Sequence, residues 1–315
     1  MSITPGYKEK KKFIMVATRR PEDTPSTDYI ANGASPVAIQ TSGLSVEPLV
    51  TEQINRELDN GADGGEPVIH INEMIKITAP FELTGSGDAA APTAFAKMLQ
   101  LAGRDINTDV AGEVSHNRIT TASQEIDGCV YFYWEGMYHK AFACKATLTR
   151  SGTTGDRLMC SAEVTGVYGG TLAGTPPTPD FGNFQKPLPM GELNTSFNID
   201  GQALNLYQYE VADNATIEYD EGTEQKRIFI DNWSEEAKWV IEAPELGTFD
   251  PFAILLSNVE VPFGFTHGIA AGEVWEESST GAQFLTVKPT AEKGKKCWEI
   301  TARVIKGHDA VLKTR

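Results

Sequence analysis

Apolar and polar side chains alternate between Pro67 and Leu83. Ile69, Ile71, Ile75, Ile77, Ala79, Phe81 and Leu83 share one parity, while His70, Asn72, Lys76, Thr78 and Glu82 share the other. A period of two predicts a strand with one buried face, interrupted only by Glu73. The period then changes. Phe95, Met98, Leu99 and Ala102 follow helical spacing, with Pro92 or Thr93 at the start and Gly103 at the end, which predicts a short amphipathic helix. The same strand-then-helix order returns later. Phe229, Trp233, Trp239, Ile241 and Ala243 alternate, and Ala243-Pro244 repeats Ala79-Pro80. Asp250 reads as an N-cap with Pro251 at N1, and Phe252, Leu255, Leu256 and Val259 match the four helix anchors of the first stretch. Further on, Leu148-Thr149 corresponds to Leu285-Thr286, and Ala162-Glu163-Val164-Thr165 to Trp298-Glu299-Ile300-Thr301. Matching order, register and anchors predict two copies of one domain. The polar stretch Arg104 to Glu125 is the extra loop in the first copy.

Around these units the chain reads as extended stretches and turns. Residues 1–35, rich in Lys, Pro, Thr and Ser, read as an N-terminal arm whose brief apolar run, Phe13 to Val16, is available to anchor on a partner. Residues 36–168 form the first β domain: an extended stretch from Pro36 to Leu58, an acidic Gly-rich turn from Asp59 to Glu66, the strand and helix above, and a meander from Cys129 to Tyr168 that turns at Glu135-Gly136. Residues 169–190 are Gly/Pro-rich and read as a linker. The second β domain spans 191–305, with a turn at Asp220 to Glu224, and 306–315 are a tail. The predicted class is mainly β, or β-rich α+β: two tandem domains of packed antiparallel sheets, each with one short flanking helix.

Composition narrows the function. The 315 residues carry a formal net charge of −16, which argues against gripping nucleic acid by its phosphates. The first twenty residues run the other way, with Lys8, Lys10, Lys11, Lys12, Arg19 and Arg20 against Glu9 alone. Such a leader is a solvated tail or docks on the acidic surface of a neighbouring copy. No apolar run reaches the roughly 20 residues of a spanning helix, and the N-terminus lacks the apolar core of a signal peptide, so a cytoplasmic origin and no membrane association are expected. Cys129, Cys144, Cys160 and Cys297 form no disulfide framework and are expected as free thiols.

Candidate chemistry is thin. Gly85-Ser86-Gly87-Asp88-Ala89-Ala90 fits a dinucleotide fingerprint in letters, yet the strand before it alternates and no βαβ unit follows, so a surface loop is the better reading. Asp59, Asp63 and Glu66 lack the spacing of a calcium loop. His70, His116, His139, His267 and His308 are scattered, and no nucleophile elbow or Cys/His pair stands out. The run Tyr131-Phe132-Tyr133-Trp134 suits base or sugar stacking, but alternating faces of a buried strand explain it more simply. No catalytic residue, cofactor or metal is assigned, and the chain is not expected to be an enzyme.

The order of elements resembles a known family. A long hairpin (VEPLVTEQINREL, an acidic turn, PVIHINEMIKITAPFELTGSG) precedes the helix FAKMLQLAG, the hairpin VYFYWEGMYHKAFACKATLT and the strand SAEVTGVYGG, with a Pro-rich passage after it; VIEAP and FGFTHG continue the likeness in the second copy. Over roughly residues 36–305 this is similar to the major tail tube proteins of long-tailed bacteriophages. The resemblance implies packed β-sheets with a flanking helix, polymerised as stacked rings around a lumen through which DNA reaches the host cell. It implies trimeric rings with pseudo-sixfold symmetry, since each chain supplies two units, with a hexamer as the alternative. Implied partners are other copies of the chain, the tape measure, tail terminator and distal tail proteins, and DNA passing without sticking to an acidic bore. The implied self-assembly contacts are Lys8, Lys10, Lys11, Lys12, Phe13, Arg19 and Arg20 of the arm, and Asp59, Asn60, Asp63, Glu66, Asp220, Glu221 and Glu224 of the two hairpin tips. Other ring-forming tubes of the same fold, a tail terminator, and a β-sandwich carbohydrate-binding or adhesin module remain as alternatives.

Overall fold

A computed structural model describes residues 11–56, 66–175 and 177–315. The first half contains β1 (Lys12–Thr18), β2 (Val37–Ile39), β3 (Ser45–Asn55), β4 (Val68–Glu82), the helix α1 (Ala96–Leu101), β5 (Val114–His116), β6 (Gly128–Trp134), β7 (Met137–Thr153) and β8 (Met159–Ala173). The second half contains β9 (Thr195–Ile199), β10 (Gln202–Ala203), β11 (Leu206–Ala212), β12 (Thr216–Glu221), β13 (Lys226–Asn232), β14 (Glu236–Glu242), the helix α2 (Pro251–Ser257), β15 (Glu260–His267), β16 (Trp275–Glu292), β17 (Lys295–Val304) and β18 (Val311–Thr314). The protein is mainly β, and every strand pairing among the described residues is antiparallel.

The two halves pair their strands in the same order. The first reads β2-β1-β6-β7-β8-β4-β3 and the second β10-β9-β15-β16-β17-β14-β11, with α1 and α2 each following the equivalent strand, β4 or β14. A register shift recurs at one place in both: between Gly128 and Val130 opposite β7, and between Val261 and Phe263 opposite β16. When the two shifts are superposed, Ala79 takes the place of Trp239, each paired to the strand that closes its meander, Ala79 to Ala162 and Trp239 to Ile300. The sequence matches are therefore displaced by whole pleats. Because side chains repeat every second residue, the displacement leaves each strand on its correct face.

Most buried faces are those of the alternating pattern, except that Ile69 is exposed and that Ile228 and Ile230, rather than Phe229, are the buried side chains of β13. Ile75, Ile77, Ala79 and Phe81 of β4 pack with Ile14, Val16, Val130 and Phe132 in the first half. Trp239, Phe263, Phe265 and Phe284 pack with Phe197 and Tyr209 in the second. Phe95 links the two groups, with its ring centroid 5.1 Å from Phe81 and 5.9 Å from Trp275. All four cysteines are buried free thiols. The Gly-rich loop after β4 meets the second half backbone to backbone: the Gly87 amide donates to the Gly272 carbonyl at 2.8 Å, and a Cβ on Gly85 would collide with Gly272. Close approach of two chain segments accounts for these glycines without a bound phosphate.

Three expectations change. Residues 12–34 are not a loose arm: β1 lies between β2 and β6, Ile14, Val16 and Ala17 are buried, and Tyr29 is buried with its hydroxyl on Asp127. The apolar run at Phe13 to Val16 is a core strand of its own chain. Nor are residues 306–315 a tail, since β18 pairs with both β16 and β5 and so ties the two halves together. Finally, the strand expected to run unbroken from Phe229 to Ala243 is divided at Trp233 to Glu235, where Glu235 turns inward and β12 and β13 form a separate ribbon. The α2 cap follows the sequence: the Asp250 side chain accepts from the Phe252 and Ala253 amides, and Pro251 stands in the first turn.

Candidate functional site

The halves are joined where β11 lies beside the end of β7, with Tyr209 opposite Gly152 and Val211 opposite Arg150. Behind this ladder six ionisable side chains are buried together: Arg104 and Arg118 from the polar loop after α1, Arg150 of β7, Asp213 after β11, Glu235 before β14, and Glu277 of β16. Asp213 contacts all three arginines, at 3.2, 3.1 and 2.8 Å from Arg104, Arg118 and Arg150. Glu235 contacts Arg104 at 2.6 Å and Arg118 at 2.8 Å, and Glu277 contacts Arg150 at 2.9 Å. Three positive charges meet three negative ones, which is the condition for keeping them away from water. Burial opposes ionisation of Asp213, but the arginines together outweigh it and hold its carboxyl far below the usual range. Burial also disfavours charge on Arg150, and Asp213 and Glu277 outweigh it in turn.

His116 borders this cluster. Its Nδ1 lies 2.8 Å from the Asp105 carbonyl, and burial pushes its pKa down from 6.5 to about 4. The folded protein thus holds His116 neutral, while the unfolded chain takes up a proton below about 6.5. Stability is expected to fall, on the order of 3 kcal/mol, as pH drops from about 6.5 toward about 4. Urea midpoints measured across that range in the native chain and in His116→Gln check this; an equal slope in both would assign the loss elsewhere.

The residues marked for self-assembly fall in three groups. Lys8, Lys10, Asp59, Asn60 and Asp63 lie outside the described residues. Lys11, Lys12, Phe13, Arg19 and Arg20 are engaged within their own chain: Lys11 binds Glu135 at 2.5 Å, Lys12 pairs across from Trp134, Phe13 stacks on Tyr133, Arg19 binds Asp127 at 3.0 Å, and Arg20 binds Asp23 at 2.7 Å. Glu66 lies half-buried just before β4. At the other tip Asp220 binds Arg227 at 2.6 Å, Glu221 binds Lys226 at 3.2 Å, and Glu224 is exposed in the turn.

The open surface lies elsewhere, and comparison of the two halves reveals it. Phe95, Met98, Leu99 and Ala102 of the α1 region are fully buried, the far side of the helix being closed by the second half, where Ile230 stands against Gly103 and Trp275 against Phe95. Their counterparts at α2 are not. Phe252 and Leu255 are half-buried, Leu256 is 80 % exposed and Val259 46 %. The hairpins differ likewise. The β12–β13 ribbon rests on β7 and β8 with Ile228 and Ile230 buried, whereas the β3–β4 hairpin exposes Leu49, Ile54, Val68 and Ile69. Among the described residues, β3 pairs only with β4, and β16 beyond Gln283 pairs only with β17. Such edges and apolar patches are where another chain adds. Sequence patterning marked the helix anchors but could not show that only one set would be covered.

The described residues lining a cleft of about 590 Å³ include Lys11, Phe13, Pro177, Pro179 and Phe181, without a histidine or cysteine among them. Among the described residues no group of three or more His, Cys, Asp or Glu stands ready for a metal ion. No family model matches the chain, and no curated protein is similar to it.

Proposed function

We propose that this chain is a structural protein that assembles with itself, in stacked rings of three, into a tube of the kind that carries DNA in long-tailed bacteriophages, and that it is not an enzyme. The observation that carries this reading is one strand order present twice, with the joint between units filled once inside the chain and left open at its ends. A unit that needs a neighbour on both sides is satisfied when copies close on themselves, because closure pairs the open edges of β3 and β16 with each other. Duplication of the domain explains the repeated order. The resemblance in sequence supplies the tube, the number three, and the tape measure, terminator and distal tail proteins as partners.

For a conduit the relevant chemistry is the lack of a grip on phosphate. The net charge is −16, and cations on the exposed strands are matched by carboxylates: Lys238 with Glu299 at 3.1 Å, Arg303 with Glu236 at 2.8 Å and Lys295 with Glu242 at 2.8 Å. Paired cations release few counterions and hold DNA weakly. The test is negative-stain microscopy of the purified full chain at rising concentration. Rings or tubes are expected, and particles that stay single globules at every concentration would overturn the reading.

A further inference from the structure

The joint inside the chain has a definite register, and the strand order in which it lies occurs twice, so the register of the joint between chains can be written down. We infer that the outer edge of β3 in one copy docks beside residues 286–291 of β16 in the next, with Glu47 opposite Lys288, and that the β3–β4 hairpin of that copy covers α2. This rests on the proposed self-assembly and gives it an address.

The register comes from three superposable features: the repeated bulge opposite β7 and β16, the pairing of each meander with its closing strand, and the pairing of β3 with β4 and of β11 with β14. Within the chain Ala212 faces Thr149 and Val211 faces Arg150. Their counterparts are Glu47 facing Lys288 and Val46 facing Pro289. An alignment displaced by one pleat along the repeat brings the same residues together, because both strands then move in step.

The chemistry of the transposed pairs fits. Glu47 already lies across from Lys76 in its own hairpin, and Lys288 across from Glu299. Docking would place Lys76, Glu47, Lys288 and Glu299 in one row over four strands, alternating in sign, where directly opposed unlike charges attract. Two like edges would instead oppose like charges, which favours head-to-tail addition over a twofold dimer. The internal ladder is hydrogen-bonded at Asp213 with Leu148 and at Thr154 with Tyr207, which assigns its alternate pairs. In the transposed ladder Pro48 faces Val287 and Pro289 faces Val46, so each of these pairs keeps one amide donor. Prolines on both free edges also restrain pairing with unrelated strands. Over this ladder one apolar face of the hairpin, Ile54 with Ile69 directly across from it, would meet Leu256 and Val259, as Ile230 and Trp275 meet the α1 region within the chain.

Cysteine cross-linking tests the register. Glu47 and Lys288 form one of the pairs without ladder hydrogen bonds, whose α-carbons lie close enough for a disulfide, and the four native cysteines are buried. Under mild oxidation, Glu47→Cys mixed with Lys288→Cys should give a covalent dimer, and the double variant a ladder ending at three chains. Glu47→Lys should lower the assembled fraction at least tenfold, and adding Lys288→Glu should recover part of it, because the swap restores the unlike pair across the joint while setting like charges opposite Lys76 and Glu299 within each chain. Rings seen by microscopy in a double variant that does not cross-link, or links joining Glu47→Cys to itself, would overturn this register while leaving self-assembly intact. A chain that never forms rings removes both.

Discussion

Asp213→Asn is expected to cost about 3–5 kcal/mol of folding stability, the usual penalty for removing one partner from a buried ionic group. The substitution keeps the volume of the side chain but turns one acceptor oxygen into an NH2 donor facing an arginine, so the loss reports the charge together with one lost acceptor. Arg104, Arg118 and Arg150 would then face only Glu235 and Glu277, leaving one positive charge without compensation in a site closed to water. Acid should produce part of the same loss in the native chain. The carboxyl of Asp213 is held far below its unfolded value, so its contribution is complete above about pH 4 and disappears as pH falls further toward the folded value. In Asp213→Asn this lowest limb of the stability profile should flatten, separately from the His116 limb at higher pH. Denaturant unfolding at several pH values measures both effects. A loss under 1 kcal/mol at neutral pH would mean that the arginines find other compensation.

Leu256→Glu should leave the single chain as stable as before and abolish polymerisation. Leu256 is 80 % exposed on α2, so a carboxylate there meets water in the free chain. At a closed joint the same carboxylate would be buried against Ile54 and Ile69, which share one face of the hairpin, and the loss of one buried leucine is worth about 1.5–3 kcal/mol before the cost of burying charge. In a ring of the proposed kind the loss would recur at every joint, so the concentration needed for assembly should rise more than a hundredfold. The paired experiment is Leu99→Glu at the matching position of α1, where the side chain is fully buried and the chain itself should fail to fold. Thermal unfolding and light scattering read the two outcomes. Tubes formed normally by Leu256→Glu would detach α2 from assembly.

The strands were legible because alternation and turn residues mark them locally. The β3–β4 hairpin, the β6–β7–β8 meander and the Asp250 cap all follow from short windows. What escaped depends on residues distant in the chain. Arg104, Arg118 and Asp213 each look like a solvated charge in sequence, and only folding brings them to one buried point. Glu235 divides a strand that periodicity predicts as continuous, because its carboxylate is needed inside. β1 is hidden by its Lys-rich and Pro-rich surroundings, and β18 by its brevity, although both are satisfied by pairing with remote strands. The sequence matches follow the strand order that the two halves share, but a period of two cannot distinguish a match from one displaced by a whole pleat.

The six buried charges have no second edition. At the transposed positions Pro48 stands for Asp213, Pro289 for Arg150, Ile75 for Glu235 and His139 for Glu277, and α2 runs into β15 without a loop to carry two more arginines. A tube built from this chain would therefore have fracture planes at alternate modules only. Dissolved salt, which weakens exposed charge pairs but hardly reaches buried ones, would part neighbours along those planes and release whole bricks ready to be laid again.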